Sequence, residues 1–323
     1  MNNIGMKDLA QTVNGPIKKS ELGFTLMHEH IFCDLRKPEK RNSLLNDQEE
    51  ITIKNRFEVN YFQNKNQQNL ILDEYEKAIE ELKIYKEFGG ETIVELSTNG
   101  INPEPNKLSK ISQETGVNII LGTGCYTEDY LDEKTLNSSV EDLRILMSQH
   151  LHDGFDGTNI CAGLIGELGC SWHLKETEKK TLHAALEIQD ETGVTISIHP
   201  GRHRDSPQEI IKFLENFKVN PSKTIICHAD RTLTNLEDIL LKMADHVYKK
   251  TGMKNLCFGG GVALNGVANN RILNDGPFEN LHIPPSPGDG GSAVGCAQYS
   301  YFCYTKNKRE IMPNAERIKN NIY

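Results

Sequence analysis

The sequence lacks a long hydrophobic run and a basic excess, and we do not expect a secretory leader. None of its 323 residues lie in a stretch that approaches the ~20 consecutive apolar residues of a membrane-spanning helix. The opening segment MNNIGMKDLAQTVNG has no apolar run behind a basic stretch, as a secretory signal would. Lysine and arginine number 36 against 45 acidic residues, which gives a net charge of -9. Because nucleic-acid binders neutralise phosphates with basic side chains, we do not expect a nucleic-acid partner. Because the sequence has no long apolar run, we do not expect a membrane partner either.

Paired cysteines are also missing. The eight cysteines are scattered along the chain without a regular spacing, so we expect reduced thiols and a cytoplasmic protein rather than a disulfide framework. Apolar residues make up 37% and charged residues 25%, with a mean hydropathy of -0.51, which suits a globular chain with a sizeable core. The length fits about two domains, or one α/β barrel of ~250 residues with an addition.

Short β-type runs alternate with amphipathic helical stretches, a pattern typical of parallel βα units. Three joints, ETGVNII, ETGVTIS and KTGMKNLCF, each resemble a helix end, a glycine cap and the start of a strand. The last joint predicts a seventh strand at Asn255–Phe258. The six strands predicted before it are Thr25–His28, Thr92–Leu96, Asn118–Gly122, Gly163–Glu167, Thr195–His199 and Thr224–His228.

Side chains able to bind metal lie at the ends of four of these strands. His28 and His30 form an H-x-H pair, and alternate residues of a strand point to the same face. Glu167, His199 and His228 each end a later predicted strand. Any one of these histidines, taken alone, is better explained as a hydrogen-bonded core residue. Together the five predict a site for Zn²⁺ or a related divalent ion at the mouth of a barrel, where strand ends converge.

The motifs TLMHEH, GLIGELGCSW, SIHPGR and CHADRT, in this order, resemble the phosphotriesterase-related proteins of the amidohydrolase superfamily over about residues 17–238. This resemblance implies a TIM barrel with two divalent ions, usually zinc. It implies that His28 and His30 bind one ion, that His199 and His228 bind the other, and that Glu167 bridges them. A bridging glutamate, instead of a carboxylated lysine, resembles the branch that hydrolyses N-acyl amino compounds such as N-acetyltaurine.

Such a site predicts hydrolysis. Water held between two cations has a lowered pKa and supplies hydroxide near neutral pH for attack on an amide, ester or phosphoester. Arg202 follows His199 closely, and it either binds an anionic substrate end bidentately or forms a salt bridge at the barrel rim. Trp172 lies just beyond Glu167 and either lines the substrate site or packs against the fold.

The C-terminal quarter resembles a different family. From about residue 240 to 315, GGGVALN and GDGGSAVG match the order and spacing in carbamoyltransferases that use a carbamoyl-adenylate. There, such glycine-rich turns approach nucleotide phosphates. The resemblance implies that Asp289 binds a metal and that Asn265 lies near the nucleotide. Because the histidine pair and the second nucleotide-binding lobe of that family are missing, ATP chemistry is not expected.

We therefore predict a TIM-type (β/α)8 barrel over residues 1–240, truncated after about six βα units. Residues 241–323 form a carbamoyltransferase-like fragment that completes it irregularly, with Asn255–Phe258 capping one sheet edge. The aspartate that ends the family's last strand and takes the proton of water is missing, and Asp275 and Asp289 are the nearby substitutes. Three functions stay open, namely an active binuclear hydrolase, a metal-binding but impaired barrel, and a remnant nucleotide binder. A join of two gene fragments, real or an error of gene prediction, is compatible with each.

Overall fold

A computed structural model of the chain describes residues 8–38, 50–62, 66–228, 236–284 and 287. The chain divides into two units, Met1–Thr232 and Leu233–Tyr323. No helix among the described residues is both long enough and apolar enough to cross a membrane. The six cysteines that are described form no disulfide with one another.

Strands and helices alternate along most of the described chain. The strands are β1 Leu9–Thr12, β2 Gly15–Lys18, β3 Phe24–Glu29, β4 Cys33–Asp34, β5 Ile71–Leu72, β6 Gly90–Glu95, β7 Asn118–Thr123, β8 Leu164–Gly169, β9 Ile196–His199, β10 Thr224–Ile226, β11 Asn255–Cys257 and β12 Asn280–His282. The α-helices are α1 Arg56–Tyr61, α2 Tyr75–Glu87, α3 Pro105–Thr115, α4 Glu133–Leu136, α5 Val140–His152, α6 Glu176–Thr192, α7 Ser206–Leu214, α8 Leu236–Thr251 and α9 Gly266–Asp275.

The main sheet has six parallel strands in the order β10-β9-β8-β7-β6-β3. Each strand therefore lies beside the strand before it in this series, as in a barrel built from successive βα units. The prediction of a TIM-type barrel with six βα units is confirmed. Within the part of the chain that the structure describes, β3 and β10 remain the two edges of this sheet.

Helices cover the outer face of the sheet through regular apolar stripes. In α3, Leu108, Ile111 and Thr115 are buried at helical spacing, and Leu108 and Ile111 join a core cluster with Ile119 and Leu121 of β7. Burying each such leucine or isoleucine stabilises the fold by roughly 1.5–3 kcal/mol. A second core cluster joins α6 and α7 to β8 and β9. The clusters hold the strand ends, and therefore the site, in place.

The three predicted glycine joints are confirmed. Gly116 and Gly193 follow α3 and α6 in the left-handed conformation, with φ of 69° and 71°. Gly252, after α8, has φ of 64°. Side chains with a Cβ are disfavoured there, so each glycine ends a helix and turns the chain toward the next strand.

The second unit contains the predicted seventh strand, but its partner differs from the expectation. β11 pairs in parallel with β12, with Leu256 opposite Leu281, in a separate two-stranded sheet. The expectation that Asn255–Phe258 caps the six-stranded sheet is wrong. The physical reason is a local core, in which Leu256 and Leu281 pack against buried residues of α8 and α9 such as Leu240 and Ile272.

Candidate metal centre

Five side chains come together at the carboxyl ends of four strands. His28 lies in β3 and His30 follows it, Glu167 lies in β8, His199 ends β9, and His228 comes two residues after β10. Because the strands are parallel, their carboxyl ends lie at the same end of the sheet, where the mouth of a barrel would be. The structure thus brings together all five residues that the sequence singled out as metal ligands.

Glu167 is the centre of this cluster. Its Oε1 lies 3.3 Å from His28 Nε2, 2.5 Å from His199 Nδ1 and 3.2 Å from His228 Nε2. Its Oε2 lies 3.8 Å from His30 Nε2. Two groups result, His28 with His30 and Glu167, and His199 with His228 and Glu167, and within each group the ligand atoms lie within 4.8 Å of one another. Both groups share the same carboxylate.

Burial and charge prepare these side chains to bind cations. Burial lowers the pKa of His28 to about 4 and also lowers the pKa of His30. Burial alone would raise the pKa of Glu167, but hydrogen bonds with His199 and His228 and charge interactions with His199 and His28 outweigh it and hold that pKa below its usual range. Neutral imidazoles beside an ionised carboxylate are the protonation states that a divalent metal requires. The donor set therefore fits Zn²⁺ and related ions.

A cavity of about 1120 Å³ opens beside His199. Tyr126, Trp172, Arg202 and His203 line it. The ring of Tyr126 meets His199 edge to face, with centroids 5.3 Å apart. Trp172 stacks on His203 with centroids 4.4 Å apart and ring planes inclined by 5°. The arrangement places aromatic rings beside the five candidate metal ligands.

Arg202 is an exposed side chain at this cavity, and it forms no ion pair with any residue that the structure describes. The salt bridge at the barrel rim, considered from the sequence, is therefore not present among these residues. A guanidinium presents several donors in a fixed plane, which suits a carboxylate, sulfonate or phosphate group.

Two aspartates, Asp275 and Asp289, were the candidates for the missing acidic residue. Asp289 lies outside the described residues, and Asp275 ends α9, where it pairs with Arg271 at 3.3 Å.

Sequence reasoning missed Tyr126 and Ser97. Both come shortly after strands, β7 and β6, so the rule that found His199 would have found them had it been applied to residues other than metal ligands.

Comparison with known proteins gives two family matches. The model of the phosphotriesterase family matches residues 8–252, and that of the carbamoyltransferase N-terminus matches residues 217–298. The first covers more than half of the chain and extends beyond the sequence-based limit near residue 238. The second confirms the resemblance of the C-terminal segment.

Individual relatives agree with the first match. The N-acetyltaurine hydrolase of Xenopus tropicalis is 42% identical over 239 residues, which are 72% of this chain and 68% of that protein. The phosphotriesterase-related protein of Nematostella vectensis is 37% identical over 280 residues, covering 84% and 80% of the two chains. A solved structure, a resiniferatoxin-binding protein from Rhodobacter sphaeroides, aligns with a TM-score of 0.64 and 30% identity over 78% of this chain and 70% of that one. This chain belongs to the phosphotriesterase family.

Proposed function

We propose that the chain is a binuclear, metal-dependent hydrolase of N-acyl amino compounds such as N-acetyltaurine, with zinc as the metal. The observation that carries this proposal is the pair of three-residue groups that share the carboxylate of Glu167. His28 and His30 would hold one ion, and His199 and His228 the other. Relatives named N-acetyltaurine hydrolase support the choice of substrate.

The proposed metal ligands have different roles in the reaction. Bound cations would supply the Lewis acidity that activates water and polarises the scissile acyl group. Glu167 is 1% exposed, so its charge is shielded from solvent and is available to both ligand groups. The low pKa of His28, about 4, keeps its ring neutral and its nitrogen lone pair available across the physiological range.

Arg202 and Trp172 would bind the end of the substrate remote from the acyl bond. Arg202 is exposed at the cavity beside His199, and the sulfonate of an N-acyl taurine would accept two hydrogen bonds from its guanidinium. The indole of Trp172 would cover the short methylene chain between the sulfonate and the amide nitrogen. Orienting the substrate at both ends would add to the rate by holding the acyl group in position for attack.

Asp289 is the proposed acceptor of the proton that water loses. The family's usual aspartate follows a strand beyond β10, and Asp289 is the carboxylate that the sequence offers in its place. Asp289→Asn is expected to lower kcat while the metal content stays the same, because the five proposed ligands are untouched. A variant with unchanged kcat would remove Asp289 from the mechanism.

The test combines elemental analysis with release of taurine from N-acetyltaurine by zinc-loaded protein. Two metals per chain and measurable hydrolysis are expected for the wild type, and both are expected to fall in Glu167→Gln. Glu29→Gln is the matched control, because Glu29 is the residue between His28 and His30 but belongs to neither ligand group. Turnover that survives Glu167→Gln would refute the bridging role.

A metal-binding protein without catalysis is the second candidate. It is favoured by the sheet itself, which within the described residues ends at β10 and offers no carboxylate on a further strand. Two metals per chain without hydrolysis of any N-acyl amino acid, ester, lactone or phosphotriester would support it. A rise in melting temperature with millimolar ATP would instead support the remnant nucleotide binder.

We also propose two domains and a cytoplasmic location for this chain. Residues 1–240 would form the incomplete hydrolase barrel and residues 241–323 the carbamoyltransferase-like fragment. A cytoplasmic location is supported by the described cysteines, which form no disulfide with one another. The proposed partners are limited to a small-molecule substrate.

A further inference from the structure

Ser97 lies behind His30, on the side away from Glu167. It comes two residues after β6, and its side chain is buried, with 1% of the residue exposed. The Ser97 hydroxyl lies 2.6 Å from the carbonyl oxygen of Phe32 and 3.0 Å from Nδ1 of His30. Both separations are those of hydrogen bonds.

The number of protons decides the direction of these bonds. A serine hydroxyl has one hydrogen to donate, and a backbone carbonyl can only accept. The Ser97 hydrogen therefore goes to Phe32, and the contact with His30 requires the imidazole to donate from Nδ1. A neutral imidazole that carries its proton on Nδ1 has its lone pair on Nε2. In His30 this is the atom that faces Glu167.

The competing arrangement has a weaker contact. Protonation of His30 on Nε2 would direct the hydrogen toward Glu167 Oε2, which is 3.8 Å away and beyond normal hydrogen-bond distance. It would also leave Nδ1 as an acceptor facing Ser97, whose hydrogen Phe32 already accepts. The geometry around His30 favours the Nδ1-protonated tautomer.

Ser97 is itself held by a buried carboxylate. Glu95 Oε1 accepts a hydrogen bond of 2.9 Å from the backbone N–H of Ser97, and Oε2 accepts one from the backbone N–H of Ile31. Glu95 is fully buried. One carboxylate thus joins the segment that carries His30 to the segment that carries Ser97, so the hydroxyl has little freedom to turn away.

We propose that Ser97 is a positioning residue that fixes His30 as the Nδ1-protonated tautomer and so presents Nε2 to a metal ion. This inference rests on the proposed function for the identity of the ligand, but it concerns the metal-free protein as well. Partners behind a ligating histidine contribute roughly 10–100-fold to metal affinity in metalloproteins. Ser97→Ala is expected to weaken zinc binding by a factor in that range.

The first test needs no variant at the serine. Metal-free protein labelled with ¹⁵N-histidine is examined at pH 8 by long-range ¹H–¹⁵N correlation, and the His30 signal is identified by its loss in His30→Gln. Protonation of His30 on Nδ1 is expected. A wild-type ring protonated mainly on Nε2 would overturn the proposal, even if the protein bound two metals and hydrolysed its substrate.

The second test measures zinc affinity by competition with a chromophoric chelator. Ser97→Ala is expected to raise the dissociation constant and to mix the two His30 tautomers, while Ser97→Thr, which keeps the hydroxyl, restores both. Ser112→Ala is the matched control, since this buried hydroxyl bonds to Val117 in the α3 region instead. Equal zinc affinity in Ser97→Ala and Ser112→Ala would refute the proposal. An Nδ1-protonated His30 in a protein without hydrolytic activity would uphold Ser97 while overturning the proposed function.

Discussion

Glu95 is expected to make the stability of the first unit depend on pH. Burial raises its pKa from the ordinary value of 4.5 to about 7, although the N–H groups of Ile31 and Ser97 partly favour the charged form. Because the folded protein holds this proton more tightly than the unfolded chain, Glu95 stabilises the fold fully below pH 4.5, and this stabilisation is lost as the pH rises through 7. At ~1.4 kcal/mol per pH unit, the total loss is ~3 kcal/mol.

The variant Glu95→Gln removes this dependence, since glutamine stays neutral at every pH. The difference in unfolding free energy between wild type and variant is expected to shift by ~3 kcal/mol in favour of the variant between pH 4.5 and 8. Urea unfolding of metal-free protein, followed by the fluorescence of Trp172, measures this because the chain has one tryptophan and it lies in the first unit. Other titrating groups are common to both proteins and cancel in the difference.

A difference that stays constant across this pH range would refute the reasoning. It would mean that water or a compensating charge reaches Glu95 in the folded protein. A difference that shifts in the opposite direction would mean that the two backbone N–H donors outweigh burial.

Three further predictions follow from the site and the sheet. Gly122→Ala is expected to destabilise the first unit by more than ~3 kcal/mol in urea unfolding, because its Cβ would lie 1.8 Å from the carbonyl oxygen of Gly166. The control Gly193→Ala would place its Cβ within 4 Å of no atom, and its positive φ is expected to cost only ~1–2 kcal/mol. Removing zinc with a chelator is expected to lower the unfolding free energy by ~2.7 kcal/mol per bound ion, if the free zinc concentration had been 100 times the Kd of that ion. An unchanged melting temperature after zinc removal would contradict metal binding to the folded state. Arg202→Met is expected to lower kcat/KM by roughly 10–100-fold for anionic N-acyl substrates but not for a neutral ester, and equal losses on both would show that Arg202 does not recognise charge.

Much of the architecture followed from local pattern. The six parallel strands and the glycine caps at Gly116, Gly193 and Gly252 were predicted because apolar periodicity and positive φ are properties of short segments. The five proposed metal ligands were found in the same way. They sit at or just beyond predicted strand ends, and the barrel rule then places such ends on one side of the sheet.

Tertiary structure decided what depends on partners distant in sequence. β11 was predicted as a strand, but its pairing with β12 depends on a core that α8 and α9 form around it. No sequence pattern links Ser97 to His30, which are 67 residues apart. Their contact exists because β3 and β6 are neighbours in the sheet, and it leaves Nε2 of His30 on the side of Glu167. The sequence by itself determined which side chains are available for the site, whereas the packing of the strands determined their distances, their burial and their hydrogen-bond partners.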